Sequence, residues 1–172
     1  MTFFLRFRRR FIAALLAILA VFAAVQDRTA ANFGSGIQVV LPIMAAICAA
    51  GNGTAFDTVG RYAVLEATIQ GSKFGLGDAP MNQRPNGGDG GFPSGHAARA
   101  TFGAAAVLRE CALALPAARV VVIVSAGFTA TSRVSDGKHS IWQVLFGVIC
   151  GLGADMLFRR ALRRKKQVQT VK

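Results

Sequence analysis

Histidine, cysteine and acidic side chains are all scarce in this chain. Its 172 residues hold two histidines, three cysteines and eight Asp and Glu, against twenty Lys and Arg. Two histidines without a Cys/His cluster argue against a zinc site, so no metal and no cofactor are expected. Cys48, Cys111 and Cys150 are odd in number, lack metal-knuckle spacing and each lie inside an apolar run. They read as small packing residues in helices. There is no internal repeat, and the only low-complexity stretch is the glycine-rich segment ahead of Gly95.

Apolar residues, by contrast, are abundant. They make up 53% of the sequence, and the mean hydropathy of +0.45 is ordinary for a membrane protein and high for a soluble domain. The formal charge of +12 invites a nucleic-acid reading, but its placement argues against one. Arg6, Arg8, Arg9 and Arg10 precede the first apolar run, and Arg159, Arg160, Arg163, Arg164, Lys165, Lys166 and Lys172 follow the last. Cations flanking apolar segments mark cytoplasmic membrane flanks, whereas a nucleic-acid binder spreads them over a folded face. Membrane lipids, not nucleic acid, are the expected surroundings.

Apolar runs recur at 11–25, 37–50, 55–74, 97–115, 117–131 and 140–158. The first, behind its basic flank, reads as a retained span rather than a cleaved signal. The third carries Arg61, Glu66, Gln70 and Lys73, which are expected to face a bundle interior or the headgroup zone. The expected fold class is all-α, an integral membrane six-helix bundle forming one domain over 1–172. Its basic tails, about 1–10 and 159–172, would lie in the cytoplasm. Six spans place the loop after the third and the loop after the fifth on the opposite face, and those loops hold both histidines.

The first loop contains Arg84 and then Pro93-Ser94-Gly95-His96; the second contains Arg133, Lys138 and His139. Pro93 followed by Ser94 reads as a helix start, with Ser94 at the N-cap. The free amides of that first turn make an anion site, and Gly95 lets an oxygen approach the backbone. Arg84 and Arg133 add planar cationic donors suited to phosphoryl oxygens. Of two histidines beside such a cradle, one attacks phosphorus as a neutral imidazole and the other protonates the leaving oxygen. A Ser-His-Asp hydrolase from Ser94, His139 and Asp136 lacks the strained nucleophile turn and leaves both arginines unexplained.

These residues bring a family into view. Arg84-Pro85, then Pro93 to His96, then Ser132-Arg133, five residues and His139 resemble the type 2 phosphatidic acid phosphatase superfamily. That group comprises membrane lipid phosphatases related to vanadium haloperoxidases and bacterial acid phosphatases. The resemblance implies that Arg84, Arg133, Ser94 and the Gly95 amide bind phosphate. It implies His139 as nucleophile, forming a phosphohistidine, and His96 as general acid.

The chain departs from the family pattern at two positions. Gly77 stands where the family has a lysine, leaving Lys73 or Lys138 to replace it, and Gln143 stands where it has an aspartate. At i+4, Gln143 is expected to accept from His139 Nδ1–H and hold the attacking tautomer. The function implied is a metal-independent membrane lipid phosphatase, in a bacterial inner membrane with its site facing the periplasm. Candidate substrates are lipid phosphates and diphosphates such as undecaprenyl diphosphate, phosphatidate-type lipids, phosphatidylglycerol phosphate and lipid A phosphates. A lipid phosphotransferase with the same site and a non-catalytic relative are the alternatives.

Overall fold

A computed structural model describes residues 30–157. Within them lie α1 (Ala30–Gly51), α2 (Ala55–Leu76), a 3-10 turn (Pro80–Asn82), α3 (Gly95–Glu110), α4 (Pro116–Ser135) and α5 (Ile141–Met156). The class is all-α, with five α-helices and no strand among the described residues. The expected first span at 11–25 and both basic tails lie outside the described residues. The other five apolar runs each become one helix. The fourth run ends early: α3 stops at Glu110, and the Cys111 C-cap and Leu115 are extended. Leu115 precedes Pro116, whose ring disfavours a helical conformation in the residue before it, while Pro116 itself opens α4.

α3 is the central element, in contact with each of the other four helices. Its buried positions are mostly small, among them Ala97, Ala98, Ala100, Ala104 and Ala106. The α5 segment from Gly147 to Gly151 lies directly on the α3 backbone. A Cβ at position 147 would collide with the Ser94 carbonyl, and one at 151 with the Ala98 carbonyl. Small residues one turn apart thus set the approach of α5 to α3. Phe102, Leu41, Met44, Leu65 and Ile69 fill the space between α3 and its neighbours on the other side.

The surface pattern is reversed from that of a water-soluble bundle. Val39, Ile43 and Ile47 of α1, Val120, Val121, Ile123 and Val124 of α4, and Ile141, Leu145 and Ile149 of α5 are exposed. Arg61, Thr129, Arg133, Gln143 and Asp155 are buried. Two helical segments, Phe33–Gly51 and Pro116–Ser135, are long and apolar enough to cross a membrane.

The buried charges are paired. Arg99 donates to both Glu66 oxygens at 2.6 and 2.8 Å and to Gln38 Oε1 at 3.3 Å, so it crosslinks helices instead of anchoring a headgroup. At the other end of the bundle, Arg109 pairs with Asp155 and Glu110. Arg61 donates to the Asp155 carbonyl, and Asn52 and Thr54 donate to Glu110. At that same end Cys48 and Cys111 form a disulfide between the C-termini of α1 and α3, and Cys150 is free. The packing role expected for all three cysteines is corrected for these two. Their Cα atoms stand 5.2 Å apart, a proximity that arises only when α1 lies against α3.

Replacing Gly151 with Ala is expected to lower the unfolding midpoint in detergent, by overpacking worth about 1–3 kcal/mol. Gly153→Ala, at an exposed position with nothing within 4 Å of the added Cβ, is expected to hold or raise that midpoint through helix propensity. Equal behaviour of the two variants would refute the close-approach account.

Candidate active site

Both histidines sit at one end of the bundle. His96 is the second residue of α3, and His139 lies just before the Ser140 N-cap of α5, after the end of α4. Ser94 occupies the N-cap position of α3, as expected, but its hydroxyl makes no capping bond. That hydroxyl is buried and unpartnered, and so is Arg84 Nε. Among the described residues four buried side-chain polar atoms lack a protein partner; these two lie at the histidine end, and Thr58 Oγ1 and Arg109 Nη2 at the other. An oxyanion in the pocket would give both a partner, and each unmet buried donor otherwise costs about 1–3 kcal/mol.

The other expected phosphate ligands converge here as well. Gly95 opens α3, and the Arg99 guanidinium lies behind it, 3.4 Å from where a Cβ would stand. Arg133 is buried in the last turn of α4, bonds Ser132 Oγ at 3.3 Å and faces Asp136 at 4.0 Å. Lys73, half-buried in the last turn of α2, runs beside Gly90 and is close enough to act electrostatically on His139. Lys138 acts likewise on His96. Gly77, at the position of the family lysine, ends α2 with φ 45°, so the helix terminates before a side chain there can point inward as Lys73 does.

Gln143 does more than its spacing suggests: its side chain acts on His139 by hydrogen bonding, but its closest bonds lie elsewhere. The acceptor for His139 Nδ1 is the Gly91 carbonyl, at 2.9 Å. Gln143 Oε1 instead accepts from the Ser140 amide at 3.0 Å, while Ser140 Oγ accepts from the Gln143 amide at 3.3 Å. This reciprocal cap is written in the sequence as Ser-x-x-Gln. With its oxygen taken, Gln143 donates through Nε2 to the carbonyls of Met81 at 3.0 Å and Gln83 at 2.8 Å. It is a positioning residue that holds the Arg84 loop against α5. A Cβ at position 91 would strike the Gln143 amide and the Asn82 carbonyl, so a glycine is required for this carbonyl to reach His139.

Two further residues carry no motif signal. Asn82 is buried, donates to the carbonyls of Lys73 and Gly77 and accepts from the Phe92 amide, tying the end of α2 to the loop. Ser35 of α1 places its hydroxyl 3.4 Å from His96 Nε2. Only the folded arrangement of α1 against α3 brings Ser35 to the site.

Burial and then the positive neighbours Arg133 and Arg99 push the His96 pKa down to about 3. Burial, then Arg84, pushes that of His139 down to about 4, with the Gly91 carbonyl and the Gln143 amide acting in the opposite direction. Both imidazoles are therefore neutral at neutral pH. With Nδ1–H given to Gly91, His139 keeps its Nε2 lone pair free, the form a nucleophile needs.

In an all-α bundle, two neutral imidazoles beside arginines, a lysine and a helix N-terminus form a site suited to phosphoryl groups. The sequence matches the PAP2 superfamily over residues 39–167, and the chain belongs to that superfamily, which places it among phosphatase-type enzymes. No solved structure matches the chain.

Because the chain has two histidines, ¹⁵N side-chain spectra of labelled protein in micelles report both without ambiguity. Both are expected to stay neutral at pH 5.5, with His139 in the Nδ1–H tautomer; titration of either near 6.5 would contradict the site electrostatics. Stability follows the same sign. Both folded pKa values lie below the ordinary 6.5, so stability is unaffected by these groups above 6.5. It falls as pH drops below 6.5, to about 4 for the His139 contribution and about 3 for that of His96, because the unfolded chain binds protons that the folded one refuses.

Proposed function

We propose that this protein is a lipid phosphatase that opens a phosphate monoester or diphosphate through a phosphohistidine on His139, without a metal. The observation that carries the reading is the pair of orphaned donors, Arg84 Nε and Ser94 Oγ, one close enough to act electrostatically on His139 and the other two residues before His96 at the start of α3. His139 Nε2 attacks phosphorus as the bond to the leaving oxygen breaks, and His96 gives that oxygen its proton. Water then attacks the P–N bond with His96 taking a proton, which returns both imidazoles to their starting state. Arg84, Arg133, Lys73, Ser94 and the Gly95 amide stabilise the charge on the phosphoryl oxygens.

The cationic neighbours of His96 oppose its protonation. A bound phosphate dianion supplies the missing negative charge, so substrate binding itself raises the His96 pKa into its working range. The mechanism thus links protonation of the acid to occupancy of the cradle.

The bilayer setting and a single domain over 1–172 are part of the same proposal. The exposed faces of α1, α4 and α5 are apolar, and Trp142 stands 71% exposed at the site end, as interfacial aromatics do. α5 ends at Met156, on the end away from the site, and leads toward the basic residues at 159–172. With those in the cytoplasm of a bacterial inner membrane, the site faces the periplasm.

Purified protein is expected to release phosphate from members of a lipid phosphate and diphosphate panel, undiminished by a chelator, and His139→Ala is expected to lower the rate by at least about a thousandfold. Release that vanishes with chelator, or persists in His139→Ala, would overturn the mechanism. The proposed orientation also turns the end that carries the Cys48–Cys111 disulfide toward the cytoplasm, where such a pair is kept as two thiols that bridge only under oxidising conditions. Acid-quenched cells alkylated under denaturing conditions should show all three cysteines modified. A pair protected from alkylation in cells would reverse the orientation.

A further inference from the structure

A second cavity, of about 460 Å³, lies between the 80–92 loop and the first turns of α5. Met81, Arg84, Pro85, Phe92, Trp142 and Phe146 supply most of its wall. Phe92 and Phe146 meet as a tilted pair, 5.0 Å between ring centroids, and Trp142 and Met81 stand exposed at 71% and 51%. Among the lining side chains Arg84 is the one charged group, and Arg84 is also close enough to act electrostatically on His139. Phe92 on the cavity wall directly follows Gly91, whose carbonyl accepts from His139 Nδ1 at 2.9 Å, so the inner end of the cavity adjoins His139. Gln143, which lines the same wall, fixes the loop by its bonds to Met81 and Gln83.

A concave aromatic surface with a single cation at its inner end fits an amphiphile: an anionic group for the guanidinium, an apolar chain for the rings. A groove of about 330 Å³ between α1 and α2 offers no such match. It is lined by Val39, Ile43, Val59 and Phe102 with Thr58 and Tyr62 as its polar members, and it carries no cation.

We infer that the cavity beside α5 receives the apolar chain of an amphiphilic phosphate or diphosphate, whose anionic end rests at Arg84 and so meets His139 from the α5 side. The inference rests on the phosphatase reading and names the part of the substrate that reading leaves open. Met81, Phe92, Trp142 and Phe146 become the residues that select a lipid over a water-soluble phosphate ester.

Trp142 is the single tryptophan of the chain, so its fluorescence reports on the cavity directly. The full chain in detergent micelles is titrated with an alkyl phosphonate brominated on the methylenes beside its head, and separately with the same brominated chain ending in a hydroxyl. The phosphonate is expected to quench in a saturable way, far more than the alcohol, and excess pyrophosphate is expected to reverse the quenching. Phe146→Ser, leaving Trp142 in place, is expected to weaken the apparent affinity about tenfold, the scale of one lost aromatic contact.

Equal quenching by phosphonate and alcohol would overturn the inference, since Trp142 would then simply face lipid. So would phosphonate quenching that Phe146→Ser leaves intact. Phosphate release is scored separately in the same preparation. Release with unselective quenching removes the cavity and keeps the phosphatase, whereas selective quenching without release on any lipid keeps the cavity and removes the phosphatase.

Discussion

The Ser94 amide donates to the Gln143 carbonyl at 2.9 Å, and the rest of the site depends on that junction between the N-termini of α3 and α5. It fixes the distance between the two histidine-bearing segments before either side chain is considered. Glycines at 147 and 151 let the backbones come close enough for the bond to form. The same Gln143 then uses its side chain to hold Ser140 and the carbonyls of Met81 and Gln83, so one residue joins α3, α5 and the arginine-bearing loop. Each of its bonds is an ordinary one of about 1 kcal/mol net; their convergence on one buried amide gives them their effect, because loosening any one frees the loop that carries Arg84.

The electrostatics of the pocket are unbalanced by design of the fold. Three helices and two loops bring arginines and lysines to a place with little acidic compensation, since Glu66 is already committed to Arg99. The imidazoles respond by staying neutral. Such a pocket attracts phosphate strongly and, once filled, is closer to charge balance than when empty. Replacing the family aspartate by Gln143 fits this picture: a neutral backbone carbonyl at Gly91 orients His139 without adding a negative charge. In the proposed mechanism a phosphohistidine on His139 would lack a carboxylate partner, which would favour substrates with good leaving groups, diphosphates among them.

The opposite end of the bundle is built on other terms. Arg61, Arg109, Glu110 and Asp155 form a closed set of ion pairs and carbonyl contacts, next to the Cys48–Cys111 link. These charges neutralise one another, so that end holds the helices in register and has no excess charge to attract an anion. Polar groups at both ends of the helices are thus buried, and both ends keep donors without protein partners, Arg84 Nε and Ser94 Oγ at one and Arg109 Nη2 and Thr58 Oγ1 at the other; the ends differ in that carboxylates stand beside Arg109 whereas imidazoles stand beside Arg84.

Much of this was legible in the residues themselves. Apolar run lengths located all five described helices, and Pro116 marked where one run divides into two helices. The ordered motifs around Arg84, His96 and His139 pointed to one face and one chemistry, because each motif places its donors by local geometry: a helix start, a turn, a spacing along one helix. What the tertiary structure alone decided is which neighbour each donor meets. The i+4 spacing of Gln143 from His139 could not reveal that Gly91, 48 residues away in sequence, would take the Nδ1 proton. Nor could it show that Ser35 would reach His96, or that Cys48 would find Cys111 across 63 residues. Local spacing sets what a side chain is able to bond; long-range packing of α1 and α5 against α3 chooses among the partners, since a hydrogen bond is settled by tenths of an ångström that no one-dimensional pattern encodes.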